Sequence, residues 1–158
     1  MIQTTTIPQH HRLIKAVIGT LRLHCQLCPT DSVLVATSGG ADSVALLRVF
    51  CTINQRRRWD LKLTVGHVQH HLRPHAAEQD AQFVENLAQN LGLPFLRRDL
   101  DLTATKGNLE ANARHHRYQA LGNMAHTCGA RHVATAHQAD DQLETLLMRL
   151  LRGTSIKG

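Results

Sequence analysis

Val33-Leu34-Val35-Ala36-Thr37-Ser38-Gly39-Gly40-Ala41-Asp42-Ser43-Val44-Ala45-Leu46-Leu47 decides how the chain folds. An uninterrupted apolar run of this kind suits a strand buried on both faces, and it passes through two glycines directly into an apolar helix. Gly39 and Gly40 reach backbone angles closed to other residues and let a ligand approach the main chain, while the first free amides of the helix point at whatever fills the turn. The turn is therefore an anion cradle. It is not the lysine-bearing phosphate loop, because no Gly-Lys-Ser/Thr follows the glycines. Asp42 puts a carboxylate where that lysine would lie, which implies a bridging divalent cation, magnesium, between the acid and bound phosphates. The alternative is a plain strand-to-helix connection with Asp42 as a favourable first-turn acid.

Outward from this stretch, strand-like runs recur at residues 33–37, 63–68, 94–100 and 132–136. Helical patterns lie between them near 42–54, 76–91, 109–127 and 139–152, and one more precedes them at 8–25. Alternation of short strands with longer amphipathic segments predicts an α/β fold: an open, mostly parallel twisted sheet with helices on both faces and ligands beyond the carboxyl ends of the strands. If the polar turn after the fourth strand is to face the glycine turn, strands one and four must be neighbours. At 158 residues the chain is read as one domain, residues 1–158.

Composition narrows the class. Hydrophobic residues at 42% and charged residues at 19% are globular values, and no segment is apolar for long enough to cross a bilayer. The N-terminal residues lack a basic region followed by an apolar stretch, so a cytoplasmic location is expected, with Cys25, Cys28, Cys51 and Cys128 reduced. A net charge of +6 favours a polyanionic partner, whereas aromatic residues at 3% leave little for base stacking. The basic clusters Arg56-Arg57-Arg58 and Arg97-Arg98 are expected in loops or at strand edges.

The segment from His137 to Gly153 is the second chemical signal. Leu143, Leu146, Leu147, Leu150 and Leu151 make an apolar stripe, and Asp140, Asp141 and Glu144 crowd the first turns. These acids fit either a favourable dipole interaction or a site for a cation or amine. Arg114 and Arg117 lie on a helix that Asn108 can cap; spacing leaves open whether they form an exposed face or reach phosphates. His67, His70, His71 and His75 have no second ligand cluster at zinc-like spacing and suit the lining of a nucleotide pocket, while Cys25-Gln26-Leu27-Cys28 is half of a zinc or redox motif.

Ser38-Gly39-Gly40-Ala41-Asp42-Ser43, His71-Leu72-Arg73, Asn108 to Arg114 with Arg117-Tyr118, and Thr135-Ala136-His137 through Asp140-Asp141-Gln142, Glu144-Thr145 and Arg149 to Gly153 together resemble the tRNA(Ile)-lysidine synthases, members of the PP-loop ATP pyrophosphatases. The resemblance implies an adenine nucleotide alpha hydrolase-like, PP-loop fold. It also implies a ligase that uses ATP and Mg2+ to adenylate the C2 oxygen of the wobble cytidine in tRNA(Ile) with a CAU anticodon; L-lysine then displaces AMP to give lysidine. On this resemblance Ser38, Gly39, Gly40, Ala41, Asp42 and Ser43 hold the pyrophosphate end, with Asp42 bringing magnesium. Arg114 meets the phosphates, His67 or Val68 gives adenine a backbone contact, and Asp141 and Glu144 orient the lysine ammonium or a second magnesium. Gln138 departs from the family's usual second histidine, and the helical and C-terminal portions that help hold tRNA in full-length members are absent, so a fragment or shortened form is expected. A homodimer is compatible with the sequence, and no membrane partner is expected. A PP-loop tRNA thiolase and a non-catalytic adenine-nucleotide-binding remnant are the alternatives.

Overall fold

The computed structural model describes residues 12–57, 59–70, 74–100 and 109–136. Eight elements follow one another: α1 (Arg12–Leu23), β1 (Ser32–Ala36), α2 (Ala41–Arg57), β2 (Lys62–His70), α3 (Pro74–Asn90), β3 (Phe95–Leu100), α4 (Leu109–Cys128) and β4 (His132–Thr135). The helix expected over 139–152 lies outside the described residues.

The four strands form one sheet in the order β3-β2-β1-β4, and every pair is parallel. Strands one and four are neighbours, in register Val33↔His132 through Ala36↔Thr135. Because the chain steps from β1 to β2 to β3 and then crosses back to β4, the strand order reverses between β1 and β4, where open α/β sheets form a crevice.

Central position explains the sequence of β1. Val33, Leu34 and Val35 are buried, the valines on one face of the sheet and Leu34 on the other. α1, α2 and α3 cover the first face, with Ile14, Leu47, Phe50, Ile53, Val84 and Ala88 packed against Val33, Val35, Leu63 and Val65. α4 covers the second through Leu121, Met124 and Ala125 around Leu34. Gly66 lets α4 approach: a Cβ there would lie 3.0 Å from Leu34 Cδ1 and 3.3 Å from Met124 Cε.

Three boundaries differ from expectation. α1 closes at Leu23, with the His24 and Cys25 amides both bonded to the Thr20 carbonyl, so Cys25 lies beyond the helix. Arg56 and Arg57 belong to α2, not to a loop; just before them the Asn54 carboxamide takes both backbone groups of Leu61, at 2.9 and 2.7 Å, and clamps the last turn to the segment entering β2. β2 runs to His70, two residues past the expected end at Val68, so the polar turn starts later; His67 and Val68 are strand residues as expected.

Candidate active site

The β1–α2 turn is held by its own hydroxyls. Gly39 has φ 99°, in the region glycine favours. Ser43 donates to the Gly40 carbonyl at 2.8 Å and accepts the Ser38 amide at 3.1 Å. With the Ser43 proton so used, Ser38 Oγ donates in the 3.2 Å hydroxyl pair, and it also accepts the Gly40 amide at 3.4 Å. Ser43 is buried while Ser38 and Gly40 are exposed, so the turn presents main chain and one hydroxyl outward from a fixed base.

Beside it, across the carboxyl ends of β1, β2 and β4, lies a cavity of about 280 Å³. β1 and its turn contribute Ala36, Thr37, Ser38 and Ser43; β2 contributes Gly66, His67, Val68 and Gln69; β4 and the residue after it contribute Thr135 and Ala136. α4 adds Arg117 and Leu121, and α3 adds Asp80. Its volume is near the lower end for small-molecule sites, ~300–1,000 Å³. The α4 side of the sheet gives it an apolar wall of Ala36, Gly66, Val68 and Leu121, and the α3 side a polar one of Gln69 and Asp80.

The expected site residues are distributed unequally around it. Ser38, Ser43, His67 and Val68 line the cavity. The imidazole of His67 is buried and its Nδ1 lies 2.8 Å from the Thr37 carbonyl; since that oxygen only accepts, Nδ1 carries the proton, and the side chain ties β2 to the end of β1. Asp42 is exposed in the first turn of α2, and Gly39, Gly40, Ala41 and Asp42 form the turn's rim, outside the cavity lining. Arg114 is exposed, its guanidinium 5.7 Å from the ring centre of Tyr118, and it does not line the cavity; Arg117, one turn of helix closer, is half-buried and does. Asp141 and Glu144 lie outside the described residues.

Two lining residues, Asp80 and Gln69, were not singled out from the sequence, although both carry a signal there. Asp80 stands four, seven and eight residues before Val84, Leu87 and Ala88, a charge in line with the apolar stripe of α3 but itself exposed. Gln69 continues the parity of Leu63, Val65 and His67, so a carboxamide sits on the buried face of β2.

The strongest electrostatic clusters lie elsewhere. At the amino end of β1 the buried Asp31 accepts the Cys28 amide at 2.8 Å, which more than any other contact holds its carboxyl below the ordinary range; Arg131 at 3.1 Å and His132 at 3.2 Å act in the same sense. On β3 Arg97 grips Glu78 of α3 bidentately at 2.8 and 2.7 Å and Asp99 at 2.9 Å, and these bonds raise its pKa further. The basic pair expected at a strand edge is on an edge strand of the described sheet, with Arg97 occupied by carboxylates.

A parallel sheet reversing at β1/β4, with a serine-braced glycine turn at that point, defines a nucleotide-binding α/β domain. The chain belongs to the PP-loop domain family, which its sequence matches over residues 9–158. It is 47% identical over 134 residues to the tRNA(Ile)-lysidine synthase of Geobacter sulfurreducens, a match covering 82% of this chain and 28% of that protein. To the tRNA(Ile)-lysidine synthase of Symbiobacterium thermophilum it is 44% identical over 138 residues, covering 85% of this chain and 28% of the relative. The chain thus spans under a third of the length of these curated relatives. A solved structure with the same fold is the U34-tRNA thiolase NcsA from Methanococcus maripaludis with its [4Fe-4S] cluster, at TM-score 0.69 and 18% identity, covering 89% of this chain and 48% of that one.

Proposed function

We propose that this chain is the ATP-using domain of a tRNA(Ile)-lysidine synthase, a ligase that joins lysine to C2 of the wobble cytidine of tRNA(Ile). The observation that carries the ATP reading is the braced glycine turn opening beside a cavity with one apolar and one polar wall. The relatives' name points to tRNA(Ile) as the substrate; the CAU anticodon and L-lysine are what the sequence resemblance adds to the reading. A urea-type carbonyl oxygen leaves poorly until activated. ATP supplies that activation: the C2 oxygen attacks the α-phosphorus, pyrophosphate departs, and the lysine ε-amine then adds at C2 as AMP leaves.

Within this reading the apolar wall takes the base and the turn, Ser38 to Ser43, takes the pyrophosphate end on its amides. Magnesium neutralises the phosphates, and Asp42 at the turn's rim is the first candidate to hold it. Arg117 takes the phosphate role that spacing left open between it and Arg114, because it is the one that lines the cavity. Asp141 and Glu144 are assigned to the lysine ammonium or a second magnesium. The reading also includes a cytoplasmic location, where tRNA is modified, and homodimerisation, which sedimentation measures directly.

The thiolase alternative is disfavoured by the cysteines. Cys25 and Cys28 lie before the amino end of β1, with Cys28 bonded to Asp31, while the cavity lies at the carboxyl end; Cys51 is buried in α2 and Cys128 ends α4. None lines the cavity. The deciding experiment is ATP–pyrophosphate exchange on tRNA(Ile), with and without lysine, using this chain and a full-length relative. Binding of ATP without tRNA-dependent exchange in either protein would return the domain to a non-catalytic role. Asp42→Asn should weaken magnesium-dependent ATP binding by about 1–3 kcal/mol, the range for losing a charged partner, and an unchanged titration removes Asp42 from the site.

A further inference from the structure

We infer that the His67 imidazole reads the base of the nucleotide: its Nε2 accepts a hydrogen bond from the exocyclic amino group of adenine, which makes His67 a specificity-determining residue; this rests on the ATP reading above. The first observation is the tautomer. Nδ1 lies 2.8 Å from the Thr37 carbonyl, an oxygen that only accepts, so Nδ1 carries the proton and the neutral ring keeps Nε2 as a lone-pair acceptor. The same bond fixes the ring, so donor and acceptor cannot exchange places without leaving the Thr37 oxygen unpaired.

The second observation concerns where Nε2 stands. His67 is 3% exposed, and Nε2 has no hydrogen-bond partner among the described residues. Of the side-chain nitrogens and oxygens of those residues, Gln69 Oε1 is the one atom sealed from solvent without a partner. Nε2 is therefore not sealed, and the space that His67 lines is the cavity. A buried ring that spends one nitrogen on the main chain and opens the other onto a cavity is an acceptor that a ligand donor completes.

The surroundings decide which donor. Gly66 and Val68, on either side of His67 in β2, belong to the apolar wall assigned to the base, so a base on that wall lies within one residue of the imidazole. Ionised phosphate oxygens are ruled out, because they accept and do not donate. Magnesium prefers oxygen ligands to a ring nitrogen. What remains in ATP is the amino group of adenine and the ribose hydroxyls, and the apolar wall favours the base. Guanine carries a carbonyl oxygen where adenine has its amine, so it sets acceptor against acceptor and leaves Nε2 unpaired, a mismatch that separates the two purines.

The test is calorimetric titration of the 158-residue chain, in magnesium, with ATP set against purine riboside triphosphate, which lacks the amino group, and against 2′-deoxy-ATP and 3′-deoxy-ATP. The wild-type chain should bind ATP about fivefold more tightly than purine riboside triphosphate, the worth of one neutral hydrogen bond. His67→Asn is the informative variant, because its carboxamide nitrogen replaces Nδ1 as donor to the Thr37 carbonyl while nothing stands where Nε2 was. In it the preference for ATP should fall to less than twofold, with the affinity for purine riboside triphosphate little changed. A role in folding alone weakens both nucleotides alike and leaves their ratio intact, so the ratio isolates the base contact whatever the variant's stability. In nitrogen-15 NMR the His67 Nε2 resonance should move on adding ATP and stay in place with purine riboside triphosphate. Equal affinity of the wild-type chain for these two, or an unchanged ratio in His67→Asn, overturns the inference and leaves the ATP reading standing. So does a variant that loses discrimination against a deoxynucleotide instead, which would hand Nε2 to the ribose. Failure of the wild-type chain to bind any of these nucleotides would defeat the ATP reading and the base contact with it.

Discussion

Alanine placed at three glycines should give three different outcomes, because each glycine is present for a different reason. Gly39 has φ 99°, but a Cβ there meets Asp80 only at ordinary contact, 3.5 Å. The cost of Gly39→Ala is therefore conformational, about 1–3 kcal/mol for a residue held in a sparsely populated region. Gly66→Ala has no such strain; its Cβ would press on Leu34 Cδ1 at 3.0 Å and Leu34 Cγ at 3.2 Å, so the cost is overpacking between β2 and α4, typically 1–3 kcal/mol. Gly122, on the exposed side of α4, has nothing within 4 Å of its built Cβ, and Gly122→Ala should stabilise by roughly 0.5–1 kcal/mol. For a chain of this size each kcal/mol moves the melting temperature by about 2–4 °C, so the three are separable by calorimetry. Nucleotide titration divides the two destabilised variants further. Gly39→Ala can recover its stability only by reshaping the turn, which takes the amides away from the phosphates, whereas Gly66→Ala acts on the helix behind the cavity. If Gly39→Ala matched wild type in both stability and nucleotide affinity, the strained turn could not be the anion cradle.

His67→Ala should lower stability by at least about 1–3 kcal/mol in urea unfolding, because the buried Thr37 carbonyl loses its donor; an unchanged midpoint would show that the imidazole does not tie β2 to β1. Asp31 has its folded pKa held below the usual value, so its stabilisation is present above the unfolded pKa of about 3.9 and lost as pH falls through the lower folded value. Asp31→Asn should accordingly flatten the acid limb of a stability-against-pH curve below about pH 4, and a limb of unaltered slope refutes the linkage. On tRNA, this chain should bind weakly and show a shallower dependence of affinity on salt than a full-length relative, since it spans 28% of such proteins and offers fewer phosphate contacts; equal slopes would mean that the domain carries the whole interface.

The fold was legible where burial and period agree. The continuous apolar run of β1 can only be a strand covered on both sides, and the expected adjacency of β1 and β4 followed from requiring two polar turns to meet. The site was legible where main-chain geometry carries it, since two glycines before an apolar helix announce the turn without any contact information. It was illegible where side chains from distant segments converge. Spacing places Arg114 and Arg117 on one helix but does not tell which reaches the cavity, because that depends on how α4 is rotated over Leu34 and Gly66. Gln69 breaks the buried pattern of β2, and Asp80 stands exposed in line with the apolar stripe of α3, signals visible only when a polar residue in an apolar register is treated as information and not as noise. The end of α2 was misplaced because Asn54 clamps Leu61 through its side chain, a tertiary bond that leaves no periodic trace.

The two ends of the sheet divide the work between them. β4 reaches β1 only after the chain has crossed the whole sheet, so nothing local sets its register, and a slip of one residue would turn Thr135 and Ala136 to the wrong faces. The register is fixed at the amino end instead. There Ser32 Oγ donates to the Gly129 carbonyl at 2.7 Å, the Arg131 amide bonds the Ser32 carbonyl at 3.0 Å, and the Arg131 and His132 side chains close on Asp31. These polar contacts satisfy one another and leave no group directed at a ligand. At the carboxyl end the reverse holds: Ser38 and Asp80 line the cavity and are exposed, and Asp80 has no hydrogen bond or ion pair among the described residues. A register set by a closed polar clasp at one end lets the other end keep open polar groups without losing strand alignment, which is the condition a site built from strand ends requires.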